Sequence, residues 1–494
     1  MRSNQKNAWG NISLIALLFL SVIWIPPVQA QSQNTRTQDI QQLKDKLQQL
    51  EQMMGEVKGQ ITALENQPGV RDSTTGIGGS KSGPSNTLNS SVVTSPDNHG
   101  TVAASPPPSA QAHEKKSGTE STFDIYGYAQ MDSGYDFGQI DPSWFDVMRP
   151  TKLPAFANQF GQNGQTYFSV RQTRFGVKTS TPTSYGDLKT IFEFELFGTG
   201  VDAGQTTFRL RHAWGEMGHF GAGQTWSPFM DPNVFPNSLE YWGPNGMVFF
   251  RNVQFRWTPI KTAHNTFMIA AERPGASADQ GVYSGRIELS NITPQFILPD
   301  LSMQGHFERK WGYFQIASMF RRIAWVDNNA TPQLNLGGSA FGWGINASSN
   351  IKFGEKTTGK LQLVYGHGIQ NYMNDAPVDI GIQNNFSNPV RPIKGVPLPI
   401  LGAVAFVDHN WSPKFSSTFG GSMVNIWNSD AQSPSDFHQG YYALTNLLYY
   451  PVKNVMAGGE FQFGRRVNLA NGFNFNDYRV QFSFKYSYGK TFVF

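Results

Sequence analysis

The 494-residue chain contains no cysteine, which excludes a structural disulfide, a thiolate metal site and a cysteine nucleophile. Charged residues make up only 15% of it, and the lysines and arginines are dispersed rather than striped, so no nucleic-acid surface is expected. Long hydrophobic runs are equally scarce. Past the first thirty residues none approaches the roughly 20 apolar residues that a helix needs to cross a bilayer, and the mean hydropathy is −0.38. Helical spans are thereby excluded. Strand spans are not, because averaging along the chain mixes each lipid-facing residue with its polar neighbour. Catalytic signatures are missing as well. There is no H-E-x-x-H, no G-x-S-x-G and no Gly-rich phosphate loop, and the histidines after residue 121 (212, 219, 264, 306, 367, 409 and 438) stand singly. The sequence offers no catalytic residue, no metal ligand set and no cofactor site, and the expectation is a protein that is not an enzyme.

What is abundant is aromatic and small. Aromatic residues reach 14%, with 38 Phe and 50 Gly, a mixture that suits many short strands and turns. The first thirty residues read differently. Arg2 and Lys6 precede an apolar run from Ile12 to Ile25 that ends near Ala30, the pattern of a secretory signal peptide over 1–30. In 31–67, Ile40, Leu43, Leu47, Leu50, Met54, Val57, Ile61 and Leu64 alternate spacings of three and four. This is an a/d heptad, and it predicts an α-helical coiled coil, expected in the periplasm. Gly55 and Gly59 weaken that helix by roughly 1 kcal/mol each relative to Ala. Residues 68–120 are rich in Ser, Thr, Gly, Asn and Pro without an apolar period, which predicts a disordered linker.

From 121 to 494 the texture changes to about sixteen alternating segments. The last, Asp477 to Phe494, is the clearest: Tyr478, Val480, Phe482, Phe484, Tyr486 and Tyr488 alternate with polar residues, and the register resumes at Phe492 and Phe494. A period of two gives one apolar and one wet face. The connections after even-numbered segments are short (TPTSYGD, FGEKTTGK), whereas those after odd-numbered ones are mostly long: 138–166, 227–249, 274–300 and 370–398. An even count with loops sorted by length predicts an all-β antiparallel barrel of about 16 strands in an outer membrane, with lipid outside and water inside. Phe494 is expected at the periplasmic end beside Phe123.

The stretches Ile125–Asp132 (IYGYAQMD), Val170–Thr183 (VRQTRFGVKTSTPT), Gly186–Gly198 (GDLKTIFEFELFG), Phe208–Met217 (FRLRHAWGEM) and Gly221–Asp231 (GAGQTWSPFMD) resemble those of DcaP-like outer-membrane porins. That resemblance implies a homotrimer in the outer membrane of a Gram-negative bacterium and passage of small anionic solutes, dicarboxylates among them. It also implies a third loop folded into the lumen. Loop 227–249 carries four prolines and five aromatics, too apolar for a mobile surface loop. Its composition alone allows an inward fold or packing against a neighbouring protomer. Asp231, Glu240, Tyr241 and Trp242 are its candidate constriction residues. The terminal aromatics Phe492 and Phe494 resemble the signal read by the outer-membrane assembly machinery.

Selectivity in a channel is set by charges at its narrowest part. Lipid-facing arginine costs roughly 2–4 kcal/mol at mid-membrane, so Arg209 and Arg211 are expected in the lumen, which by alternation sends His212 and Trp214 outward. Arg174 and Lys178 share one face of their strand, and Lys189, Glu193 and Glu195 share one face of the next. Arg171 has the wrong parity for the face of Arg174, so either a bulge intervenes or it lies at the rim or a subunit contact. Arg174, Arg209 and Arg211 read either as a basic ladder for carboxylates or as partners that neutralise Glu193 and Glu195. From 121 onward 29 basic residues stand against 26 acidic ones, a balance that leaves both readings open. Alternatives to a selective channel are a non-selective porin whose coiled coil tethers the envelope and, less in keeping with the sequence, an outer-membrane enzyme.

Overall fold

In the computed structural model, residues 120–494 are described. The expected signal peptide, the coiled coil and nearly all of the linker lie outside them. Sixteen strands form the wall: β1 (Thr122–Asp136), β2 (in two pieces, Gln165–Ser169 and Arg174–Thr181), β3 (Leu188–Phe197), β4 (Thr206–Met217), β5 (Phe220–Trp226), β6 (Arg251–Lys261), β7 (Asn265–Glu272) and β8 (Asp300–Arg309). They continue with β9 (Gly312–Asp327), β10 (Gly338–Phe353), β11 (Thr357–His367), β12 (Pro399–Ser412), β13 (Phe415–Ile426), β14 (Phe437–Tyr449), β15 (Val455–Asn468) and β16 (Asn474–Val493). Each pairs antiparallel with the next, and β1 pairs with β16 from Thr122↔Val493 to Asp136↔Arg479. The sheet is therefore a closed barrel with no open edge at the seam. Both ends of the wall meet on the short-turn rim.

The wall is inside-out relative to a soluble protein. Along β16, Tyr478, Phe482, Phe484, Tyr486 and Tyr488 are exposed, whereas Arg479, Gln481 and Ser483 are buried. The same alternation runs through β9, where Phe314, Ile316 and Phe320 are exposed and Gln315 and Arg321 are buried. An apolar outer band around a polar interior is what a hydrocarbon surround selects. At the seam the rings of Phe123 and Phe492 are 6.3 Å apart, and Phe494 exchanges backbone hydrogen bonds with Ser121. The terminal residue thus lies two residue pairs beyond its expected place beside Phe123, where Phe492 stands instead.

Two breaks in alternation correct the parity argument. β2 is interrupted over 170–173, and Arg171 turns inward to pair with Asp146 at 2.5 Å, with its guanidinium 3.7 Å over the Phe197 ring. In β4 the register shifts between Glu193↔His212 and Phe194↔Leu210, a bulge at Arg211. An extra residue on one strand carries both Arg211 and His212 to the same side. His212 and Trp214 are accordingly buried rather than outward: His212 Nδ1 lies 3.0 Å from Thr225 Oγ1, and Trp214 lies under the Arg256 guanidinium.

The third long loop (227–250) lies within the barrel. Leu239 O accepts from Gln172 of β2 and Gln481 of β16, and its amide donates to Glu460 of β15. Asn237 O accepts from Thr418 of β13 and Asn446 of β14, Gly246 O from Gln362 of β11, and Phe229 O from Asn346 of β10. A segment bonded to strands around much of a closed cylinder can reach them only from inside. The first (137–164) and sixth (368–398) loops join it. Met247–Phe249 pairs with Tyr372–Asn374, and Trp144, Val147 and Met148 pack on Trp242 and Tyr241 in one apolar cluster.

Candidate constriction site

The site grows from two adjacent cross-strand rows near the loop side of β1–β4. One row reads Tyr128–Arg174–Glu195–Arg209 and the next Tyr126–Gly176–Glu193–His212. Antiparallel register puts directly opposed side chains within reach of each other on one face, so the rows bring acids and bases together without help from any loop. Gly176 is what lets the second row work. A Cβ there would come 2.5 Å from the Tyr126 ring, and the ring uses that space to donate its hydroxyl to Glu193 Oε2 at 2.7 Å.

Four guanidinium groups surround two carboxylates. Arg211 donates from Nε to Glu193 Oε1 at 2.5 Å and from Nη1 to Glu195 Oε2 at 2.7 Å. Arg174 Nη2 reaches Glu195 Oε2 at 3.2 Å, and its Nε lies 3.7 Å from Glu193 Oε1. Arg209 Nη1 and Arg251 Nη2 stand 3.7 and 3.9 Å from Glu195 Oε1. All six side chains are buried or nearly so. Removing charges from water costs several kcal/mol per ion, and a shared cluster offsets that only through close geometry on every member. Four cations against two anions leave two positive charges in excess.

The loop meets this cluster directly. Tyr241 stacks on Phe197 with ring centroids 3.8 Å apart and donates its hydroxyl to Glu195 Oε1. Trp242 donates Nε1 to Asn374 O at 2.8 Å, and its ring lies 3.9 Å from the Arg149 guanidinium. Arg149 is held between Trp242 and Trp144 and pairs with Asp375 at 3.0 Å. Glu240 pins the first loop, accepting from the Met148 amide at 2.9 Å and from the Gly243 amide. Burial, reinforced by the neighbouring Glu460 charge and opposed by these amides, pushes its carboxyl up to about 7. Asp231 ties the start of the loop to the far wall, accepting from Tyr313 at 2.7 Å and Ser348 at 2.6 Å.

The candidate wall residues divide into two groups. Arg174, Glu193, Glu195, Arg209 and Arg211 converge, with Tyr241 among them. Lys178 and Lys189 do not join them: both are exposed towards the short-turn rim, with Lys178 Nζ 4.6 Å from the Tyr126 ring. Arg251, Tyr126, Arg149, Trp144 and Asp375 complete the site without having been singled out from the sequence. Arg251 and Arg256 lie five residues apart on β6, and strict alternation cannot put both on one face. The first-loop residues carry no periodicity by which to find them.

A closed sixteen-stranded barrel, apolar outside and narrowed by an inward third loop, has the architecture of a porin. The sequence profile of the DcaP outer membrane protein family matches residues 105–487. The chain belongs to that family. Its fold is similar to the outer membrane channel DcaP of Acinetobacter baumannii, with 17% identity and a TM-score of 0.62 over 74% of this chain and 97% of that one. An anion-selective porin from Comamonas acidovorans aligns with 9% identity and a TM-score of 0.48 over 74% of this chain and 100% of that one. No curated protein sequence matches the chain. As a DcaP family member the protein is an outer-membrane β-barrel with a porin's general role, a channel.

Proposed function

We propose that this DcaP family protein is a passive diffusion channel for small hydrophilic anions, carboxylates and dicarboxylates among them, working as a homotrimer with its N-terminal segment in the periplasm. The observation that supports the anion preference is the surplus of two guanidinium charges at Glu193 and Glu195, beside the loop that narrows the lumen. In a low-dielectric throat a fixed positive charge attracts anions more strongly than it would in water, and guanidinium forks match carboxylate geometry. All four guanidinium groups lie within 3.9 Å of Glu193 or Glu195; Arg209 and Arg251, at the longer distances of 3.7 and 3.9 Å, carry the selectivity in this reading. A non-selective porin is the second reading, favoured by the extent of that pairing.

Liposome swelling with a panel of mono- and dicarboxylates, sugars and amino acids tests the substrate class. Dicarboxylates are expected to enter faster than neutral solutes of equal size. Equal rates for size-matched neutral and anionic solutes would favour the non-selective channel.

A further inference from the structure

The outer face of the wall carries two arginines that the lumen does not use. Arg273 follows the end of β7, and its amide donates to Val253 O at 2.8 Å, so it shares the outward face of the exposed Val253. Arg322 lies in β9 opposite the exposed Phe341 of β10, while its neighbour Arg321 points inward to Asp300 and Asp379. Both Arg273 and Arg322 are exposed. Neither guanidinium makes a hydrogen bond or an ion pair among the described residues. The acids that adjoin them in sequence and register, Glu272 and Asp300, are buried on the inner face.

The two arginines stand at one height. Phe255, Ala271, Leu301, Phe320 and Trp343 form a single cross-strand row over β6–β10. Each arginine is two residues beyond a member of that row, on the long-loop side. Two strand spacings put their backbones about 10 Å apart, a span that their long side chains can close on one ligand. Below them the surface is apolar, with Phe255, Leu301 and Phe320 exposed. Between them the chain bulges. Pro294 pairs with Trp325 and Leu301 with Phe320, so six residues (295–300) oppose four (321–324). The surplus leaves Ile297 and Leu298 half exposed at the level of Arg322.

A lipid-facing guanidinium is costly at mid-membrane and close to neutral at the interface, so this pair marks the membrane boundary on the long-loop side. We propose that Arg273, Arg322 and the Ile297–Leu298 bulge bind an outer-leaflet lipid whose headgroup carries two phosphates. Each guanidinium fork takes one phosphate, and the acyl chains lie on the bulge and on the Phe320 row. Two unpaired cations on a face without a carboxylate select a phosphorylated headgroup over a neutral one. The site lies on the outer surface of the barrel, and its occupancy does not depend on which solutes the lumen passes.

The test is native mass spectrometry of the full chain in detergent, titrated with diphosphoryl lipid A, with the same lipid stripped of both phosphates, and with inorganic phosphate as competitor. The diphosphoryl lipid is expected to bind most tightly and to resist displacement by inorganic phosphate. Arg273→Gln and Arg322→Gln should each weaken it about tenfold, the scale of one charge-assisted hydrogen bond, and leave the stripped lipid unchanged. The double variant Ile297→Ser, Leu298→Ser should weaken both lipids. Each variant is checked for wild-type chloride conductance, which reports an intact barrel. Equal binding of the two lipids, displacement by inorganic phosphate, or arginine variants that dissociate the oligomer while lipid binding stays unchanged would overturn the assignment.

Discussion

At the scale of single residues the barrel interior is a set of mutual dependences. Glu195 touches Arg174, Arg209, Arg211, Arg251 and Tyr241. Its loss strands buried guanidinium groups, a change that typically costs 3–5 kcal/mol. Glu195→Gln should therefore lower the temperature at which the barrel unfolds in heat-modifiability gels, while channels that do insert become more anion-selective. A variant of unchanged stability would show that solvent, not Glu195, balances those arginines. Glu240 sets a pH dependence. Its folded value of about 7 lies above the ordinary carboxylate value, so its contribution to seating the loop is complete in acid and falls away as pH rises through 7. Current noise from an unseating loop should grow between about pH 4.5 and 7, the ordinary and the seated carboxyl values, level off above that, and lose the dependence in Glu240→Gln. Noise independent of pH in the wild type would contradict the assignment.

At the scale of elements, what was legible followed from periodicity. A period of two repeated over segments such as Tyr478–Tyr488 gave strand, face and closure, because hydrocarbon outside and polar groups inside impose the same rule on every residue. Where the backbone departs from that rule, parity fails. The Arg211 bulge reversed the placement of His212 and Trp214, and the break at 170–173 is what brings Arg171 to Asp146. The composition of the third loop hinted at a packed segment. The first and sixth loops gave no such hint, since residues such as Trp144 and Asn374 find partners only through tertiary contact. The third loop depends on a few wall anchors. Asp231→Ala removes the contacts to Tyr313 and Ser348 and should release its first turn. The expected result is larger, less uniform single-channel conductance. Conductance and its spread identical to wild type would mean that Asp231 does not position the loop.

At the scale of the whole molecule, the closed wall carries an outer aromatic band of the kind a hydrocarbon surround selects. Phe494 joins the seam through Ser121 and remains 75% exposed, and we propose that its ring is read by the outer-membrane assembly machinery. Deleting it should reduce the amount of barrel in the outer membrane several-fold without altering the conductance of inserted channels. Equal insertion would remove that role.

The central claim is that the surplus of guanidinium charge beside the inward loop makes the channel prefer anions. Reversal potentials in a KCl gradient test it most directly, measured across planar bilayers for the wild type and for the double variant Arg209→Gln, Arg251→Gln. The account predicts chloride preference in the wild type and its loss in the double variant; cation preference in the wild type, or a potential that the substitutions leave unmoved, would contradict it.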